Sequence, residues 1–134
     1  MIYGIGTDIA AIARMREVHT RFGGRLAQRV LAPEEWGEYV QARDKEGFLA
    51  KRFAAKEAFS KAAGTGMRAP VTLTAIRVVH DALGRPGLAF SPELTDWMRA
   101  KGMGSVHLSI SDEREHALAF VLLEKMVETS NGKY

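Results

Sequence analysis

Two carboxylates and one ammonium group carry the chemistry most directly readable in this chain. Glu57 and Lys61 stand one helical turn apart in Arg52-Phe53-Ala54-Ala55-Lys56-Glu57-Ala58-Phe59-Ser60-Lys61. Asp8 closes a short apolar run, Gly4-Ile5-Gly6-Thr7-Asp8-Ile9. Two carboxylates beside a lysine suit a divalent cation that holds a phosphate. Mg²⁺ takes oxygen ligands, commonly one or two protein carboxylates, and completes its shell with phosphate oxygens and water. Each residue also has a plainer reading. An acid four residues ahead of a lysine is the favoured order for a surface pair, worth only about 0.2–0.5 kcal/mol. Asp is among the best helix N-caps, and Asp8 precedes a helical pattern. Against the plain reading, Phe53 and Phe59 flank the Glu57–Lys61 pair, and an acid beside aromatic surface needs a partner or a metal. Cap and ligand are compatible roles, because a carboxylate has two oxygens.

Other motifs are weaker. Gly4-Ile5-Gly6 resembles the start of a dinucleotide fingerprint, but the third glycine is replaced by Ile9, and no phosphate-loop Lys-Ser or Lys-Thr follows. His107, Ser109 and Ser111 share one face of an alternating run and read first as a solvent-facing strand face, able to donate hydrogen bonds to a ligand. No nucleophile elbow accompanies them, so a Ser-His-Asp hydrolase is not indicated.

The elements that must position these groups follow from periodicity and punctuation. Met1 to Asp8 reads as a strand anchored by Ile2, Ile5 and Ile9. Ala10 to Phe22 reads as a helix with Met15, Val18 and Phe22 on its inner face, ended by Gly23-Gly24. Arg25 to Leu31 makes a second helical piece, and Pro33 with Glu34 and Glu35 opens a third. Gly47 to Ala63 is the strongest helix, capped by Gly64. Ala75 to Asp81 and Leu88 to Phe90 pair across a turn, Leu83-Gly84-Arg85-Pro86-Gly87. Ser91 and Pro92 start a last helix with Leu94, Trp97 and Met98 inward. Val106 to Ser111 alternates, and Ala117 to Leu123 reads as a buried strand after the turn at Asp112-Glu113-Arg114. The class is α+β, with a small, mainly antiparallel sheet against a long helix and shorter ones. One domain over residues 1–126 is expected, with a polar, frayed tail at 127–134.

Composition bounds the function classes. The 134 residues are 46% hydrophobic and 26% charged, ordinary for a globular domain. No apolar run reaches the ~20 residues of a membrane span, and no secretory signal is visible. The chain has no cysteine, which rules out disulfides and thiolate metal sites and fits a cytoplasmic location. The net charge of +3 is unevenly placed: between positions 14 and 29 there are five arginines and one acid. Such a patch invites an acidic partner, the plainer alternative being a solvated helix face. Nucleic acid is disfavoured, since no binding motif appears and the basic residues are not interleaved with exposed-looking aromatics.

The glycine run at Gly4 to Ile9, the Arg52 to Ala58 stretch with Lys61, Gly64-Thr65-Gly66, Leu83-Gly84-Arg85-Pro86 and His107-Leu108-Ser109-Ile110-Ser111 together resemble the holo-[acyl-carrier-protein] synthases, the group I 4′-phosphopantetheinyl transferases. The resemblance covers nearly the whole chain, as a single module, whereas larger relatives fuse two pseudo-repeats. It implies transfer of phosphopantetheine from coenzyme A to a serine of apo-acyl carrier protein, with release of adenosine 3′,5′-bisphosphate. It implies Mg²⁺ held by Asp8 and Glu57, with Lys61 beside the phosphates and Arg52, Phe53, Gly64, Thr65, Gly66, Arg85 and Pro86 bordering coenzyme A. It implies a homotrimer with sites at subunit interfaces, where His107 and Ser109 would belong to a neighbour's half of the site. The acidic carrier protein then becomes the partner expected at Arg14, Arg21 and Arg25. The base that takes the serine proton is open between Glu57 and a water on the metal. Family members often carry histidine where this chain has Asp112, so no role of that histidine carries over. The alternative from another class is a non-catalytic module binding coenzyme A or carrier protein; such a module would not need Asp8, Glu57 and Lys61 together.

Overall fold

A computed structural model describes residues 1–127; the expected frayed tail lies, beyond Val127, outside the described residues. In order, the chain forms β1 (Ile2–Ala11), α1 (Ile12–Phe22), α2 (Gly24–Val30), a 3-10 turn (Pro33–Glu35), α3 (Trp36–Gln41), α4 (Lys45–Ala63), a second 3-10 turn (Leu73–Ala75), β2 (Ile76–His80), β3 (Pro86–Phe90), α5 (Pro92–Ala100), β4 (Met103–Asp112) and β5 (His116–Lys125). Two sheets result, both antiparallel: three strands in the order β1-β5-β4, and the hairpin β2-β3. The α+β class holds. No helix among the described residues is long and apolar enough to cross a membrane.

Helix α4 is the centre of the molecule. Asp44 caps its start by accepting from the Gly47 amide at 3.0 Å, and Gly64, at φ +83°, takes the left-handed turn that ends it. Its sequence is alanine-rich, and buried residues fall on most of its circumference rather than along one stripe. One side packs Ala54, Ala58 and Ala62 against the three-stranded sheet, where Ala117, Ala119, Val121 and Leu123 line the inner face of β5. A smaller apolar cluster of Ala27, Val30, Leu31, Tyr39 and Leu49 joins α2 and α3 to the first half of α4.

Several local expectations change. Strand β1 runs three residues past Asp8, so Asp8 is a strand residue, and the N-cap position of α1 falls to Ala11, which offers no side-chain cap. Ile5 and Ile9 are not core anchors: they are 58% and 62% exposed. The register explains why. From Gly4 onward the even positions of β1 face α4, which turns the odd ones outward; ahead of the register shift between Ile2 and Gly4, Ile2 is likewise 58% exposed and Tyr3 packs on the core. Strand β5 is not buried throughout but alternates, leaving Leu118 and Phe120 outward beside those isoleucines. Phe22 is half-exposed at the end of α1 instead of facing inward.

Candidate functional site

Gly4 and Gly6 explain how two distant segments meet. A Cβ built on Gly6 would fall onto the Ala58 carbonyl oxygen and stand 2.7 Å from the Ala62 nitrogen; one on Gly4 would fall onto the Ala62 carbonyl. The two glycines therefore let β1 lie directly against the backbone of α4. Their spacing is a packing motif, not a nucleotide fingerprint. Replacing Gly6 by alanine must push the helix off the strand, at a cost of about 3 kcal/mol or more for overpacking. Chemical denaturation of the Gly6→Ala variant measures this; a loss under 1 kcal/mol would contradict the packing account.

That contact carries Asp8 to the face of α4 that bears Glu57 and Lys61. The Lys61 ammonium donates to Asp8 Oδ1 at 3.0 Å and to the Thr7 carbonyl at 2.9 Å. The surface pairing of Glu57 with Lys61 is thus replaced by a bond across the strand. Glu57 is half-buried; burial, then the charge of Asp8, push its carboxyl above the usual range, and Lys61 only partly offsets this. Two carboxylates that repel each other beside a half-exposed lysine head form an anionic notch that a cation would relieve. Among the described residues no third His, Asp or Glu joins them to make an all-protein metal cage. The donor set fits a hard divalent cation that keeps open positions for phosphate and water.

The remaining candidate residues fall in three places. Arg85, Pro86 and His107 line one cleft of about 610 Å³ with His80 and Asp81, so the hairpin turn and the edge strand β4 meet there. Asp81 shapes the turn by accepting from the amides of Leu83 and Arg85, each at 2.9 Å, which pulls its carboxyl below the usual range. His107 Nε2 lies 2.6 Å from Glu124 Oε2. Ser109 sits two residues on, on the same outward face. Asp112 lines an adjoining cleft of about 240 Å³ with Lys51, Arg52 and His80.

Gly64, Thr65 and Gly66 cap α4: their three amides all donate to the Ser60 carbonyl at 3.1–3.2 Å, so these donors are turned toward the helix. Arg14 and Phe53 line an apolar groove of about 630 Å³ with Met15, Val18, Leu26 and Arg29, reached along β1 from Asp8 through Ile9 and Ala10. Arg25 borders the neighbouring hollow between α1 and α2, and Arg21 stacks over Phe22 with 5.9 Å to the ring centroid.

Arg52 is more committed than its motif implies. It is 5% exposed and donates to Glu35 at 2.8 Å, to Glu38 at 2.9 Å and to the Val78 carbonyl at 3.1 Å. Sequence reasoning missed the network behind it. Lys56 is fully buried and donates to Glu35 Oε1 at 2.6 Å and to the carbonyls of Val30 and Leu73 at 2.7 and 3.0 Å. Glu35, read as a helix-start residue, is instead 1% exposed and also accepts from the amides of Ala32 and Val78. Burial alone would raise the Glu35 carboxyl, but Lys56, Val78 and Arg52 together hold it below the usual range. The available signal was a lysine set among alanines, Ala54-Ala55-Lys56, on the helix with the densest apolar packing.

A family model described as the 4′-phosphopantetheinyl transferase superfamily matches residues 4–121. The holo-[acyl-carrier-protein] synthase of Laribacter hongkongensis is 58% identical over 124 residues, covering 92% of this chain and 99% of the relative. The crystal structure of the enzyme of that name from Neisseria meningitidis superposes with a TM-score of 0.91 at 50% identity, covering 93% of this chain and 100% of the other. The Helicobacter pylori enzyme of that name, solved in complex with coenzyme A, gives a TM-score of 0.78 at 32% identity over 90% of this chain and 99% of that one.

Proposed function

The chain belongs to the 4′-phosphopantetheinyl transferase superfamily, and from that membership we propose that it transfers phosphopantetheine from coenzyme A to a serine of apo-acyl carrier protein in a cytoplasmic setting. The observation that carries the reading is the meeting of Asp8, Glu57 and Lys61 across the β1–α4 contact. In this reading the serine oxygen bonds to the β-phosphorus of coenzyme A. The bond from that phosphorus to the bridging oxygen breaks, and adenosine 3′,5′-bisphosphate leaves with the bond's electrons.

Asp8 and Glu57 would hold Mg²⁺, which, when bound, polarises the pyrophosphate as a Lewis acid. Lys61 has one carboxylate partner, and its head is half-exposed, so it can turn from Asp8 to a phosphate and offset charge on the leaving group. The serine proton would pass to Glu57 or to a water held by the metal. Arg85, Pro86 and His107 give the nucleotide a cleft whose wall is basic at Arg85. Arg14, Arg21 and Arg25 would meet the acidic carrier beside the apolar groove of α1 and α2.

A homotrimer is supported by the outer face of the three-stranded sheet. Register places Ile5 beside Leu122 and His107, Thr7 beside Phe120 and Ser109, and Ile9 beside Leu118 and Ser111. An apolar patch of this kind, with a polar margin, fits subunit association. It would put His107 and Ser109 at the contact. Native mass spectrometry should find three chains per particle, and a single-chain mass would remove this part of the reading.

Formation of adenosine 3′,5′-bisphosphate from coenzyme A, followed by chromatography, tests the reaction. It should require both apo-carrier and Mg²⁺. A coenzyme A complex that forms without turnover on any carrier offered would favour the binding module.

A further inference from the structure

Helix α1 is held to the body of the molecule in an uneven way. Its first amide, on Ile12, donates to the Glu115 carbonyl at 2.8 Å, and Ile12 is its one fully buried side chain. Toward its other end a different device appears. His19 Nδ1 lies 2.7 Å from Glu46 Oε2 at the start of α4, and His19 Nε2 lies 2.8 Å from the Tyr39 hydroxyl of α3. Among the described residues, no other side chain of α1 is hydrogen-bonded to another element. The imidazole is mostly buried and meets the Tyr39 ring edge-on, with 6.1 Å between centroids.

Both ring nitrogens have a polar partner. A carboxylate only accepts, so the ring N–H belongs on Nδ1, facing Glu46. Nε2 meets the Tyr39 hydroxyl, which can either donate or accept. Tyr39 is 6% exposed, packed edge-on against Trp36 at 5.1 Å and topped by the Lys45 ammonium, 5.5 Å from its ring centroid. The chain Glu46–His19–Tyr39 is therefore a brace, and it ties α1 to α3 and α4 beside the second apolar cluster, whose buried members come from α2, α3, α4 and the residue after α2.

We propose that His19 is a positioning residue for carrier-protein docking: it fixes the outer half of α1 against α3 and α4 and so sets Arg21 and the α1 face of the groove. The inference rests on the reading above that Arg14, Arg21 and Arg25 meet the carrier. A three- to tenfold loss of affinity, about 0.65–1.4 kcal/mol, is on the scale of one such hydrogen bond.

The test is steady-state kinetics on the full chain with three substitutions. His19→Phe keeps the ring volume and removes both bonds. Tyr39→Phe removes one. His19→Gln keeps one donor and one acceptor. The KM for apo-carrier should rise about three- to tenfold in His19→Phe and less in Tyr39→Phe, and should return toward the parent value in His19→Gln. The KM for coenzyme A and kcat should stay within about twofold in all three. An unchanged carrier KM in both phenylalanine variants would overturn the proposal, as would a parallel rise in the KM for coenzyme A. An Arg14→Ala, Arg21→Ala double variant separates the two levels. If it raises the carrier KM while the His19 and Tyr39 variants do not, the brace alone is wrong. If it has no effect, the docking reading falls and the proposal falls with it.

Discussion

Replacing Lys56 by alanine should remove about 3–5 kcal/mol of stability, because it leaves the Glu35 carboxylate in the interior with half of its charge compensation gone. Set against a total of about 5–15 kcal/mol for an ordinary domain, that loss is enough to leave the chain marginal. The three acceptors of Lys56 come from α2, the first 3-10 turn and the second, so the ammonium ties helix α4 to segments on two sides. Guanidinium chloride unfolding measures the change, and a double-mutant cycle with Glu35→Gln should give a coupling of about 1–3 kcal/mol. A loss below 1 kcal/mol would show that water or a rearranged partner satisfies Glu35. The pH dependence follows from Glu35, whose carboxyl is held low by its partners. Its contribution is present above the ordinary carboxylate range and is lost as the pH falls through its lowered value.

The second large effect is at the carboxylate pair. Glu57→Gln should lower the transfer rate roughly a thousandfold, the equivalent of about 4 kcal/mol of cation-derived stabilisation at the pyrophosphate. It should also stabilise the metal-free protein. Glu57 has a raised pKa, so its ionised form is disfavoured in the fold, and at neutral pH that charge is a cost the amide does not carry. Opposite signs for activity and stability in one variant distinguish a functional site from a structural ion pair. Mg²⁺ should raise the melting temperature of the parent protein and leave Glu57→Gln nearly unmoved. A variant that loses stability and activity together would contradict this division.

Much of this was legible in the residues. Helix α4, its Gly64 cap, the Ser91 cap of α5, the break at Gly23-Gly24 and the β2–β3 hairpin all rest on local rules: cap chemistry, glycine conformation and period. The carboxylate pair was legible as residue types, though nothing local says that strand and helix meet there. That depends on Gly4 and Gly6 allowing a backbone-to-backbone approach, a fact of tertiary packing. The outward turn of Ile5 and Ile9 was hidden for a related reason. Hydrophobicity marks the patch but not which face of β1 the helix takes, and the glycines decide that. Glu35 reads as a helix-start residue and Lys56 carries no reading of its own, because charged residues default to the surface and the burial of these two is decided by partners far apart in sequence.

Intact-mass spectrometry of an apo-acyl carrier protein after incubation with this chain, coenzyme A and Mg²⁺ tests the central claim most directly. The account predicts that the carrier gains one phosphopantetheine, that EDTA abolishes the gain, and that Asp8→Asn and Glu57→Gln proteins leave the carrier unmodified while remaining folded. An unmodified carrier with folded parent protein, or full modification by both variants, would contradict it.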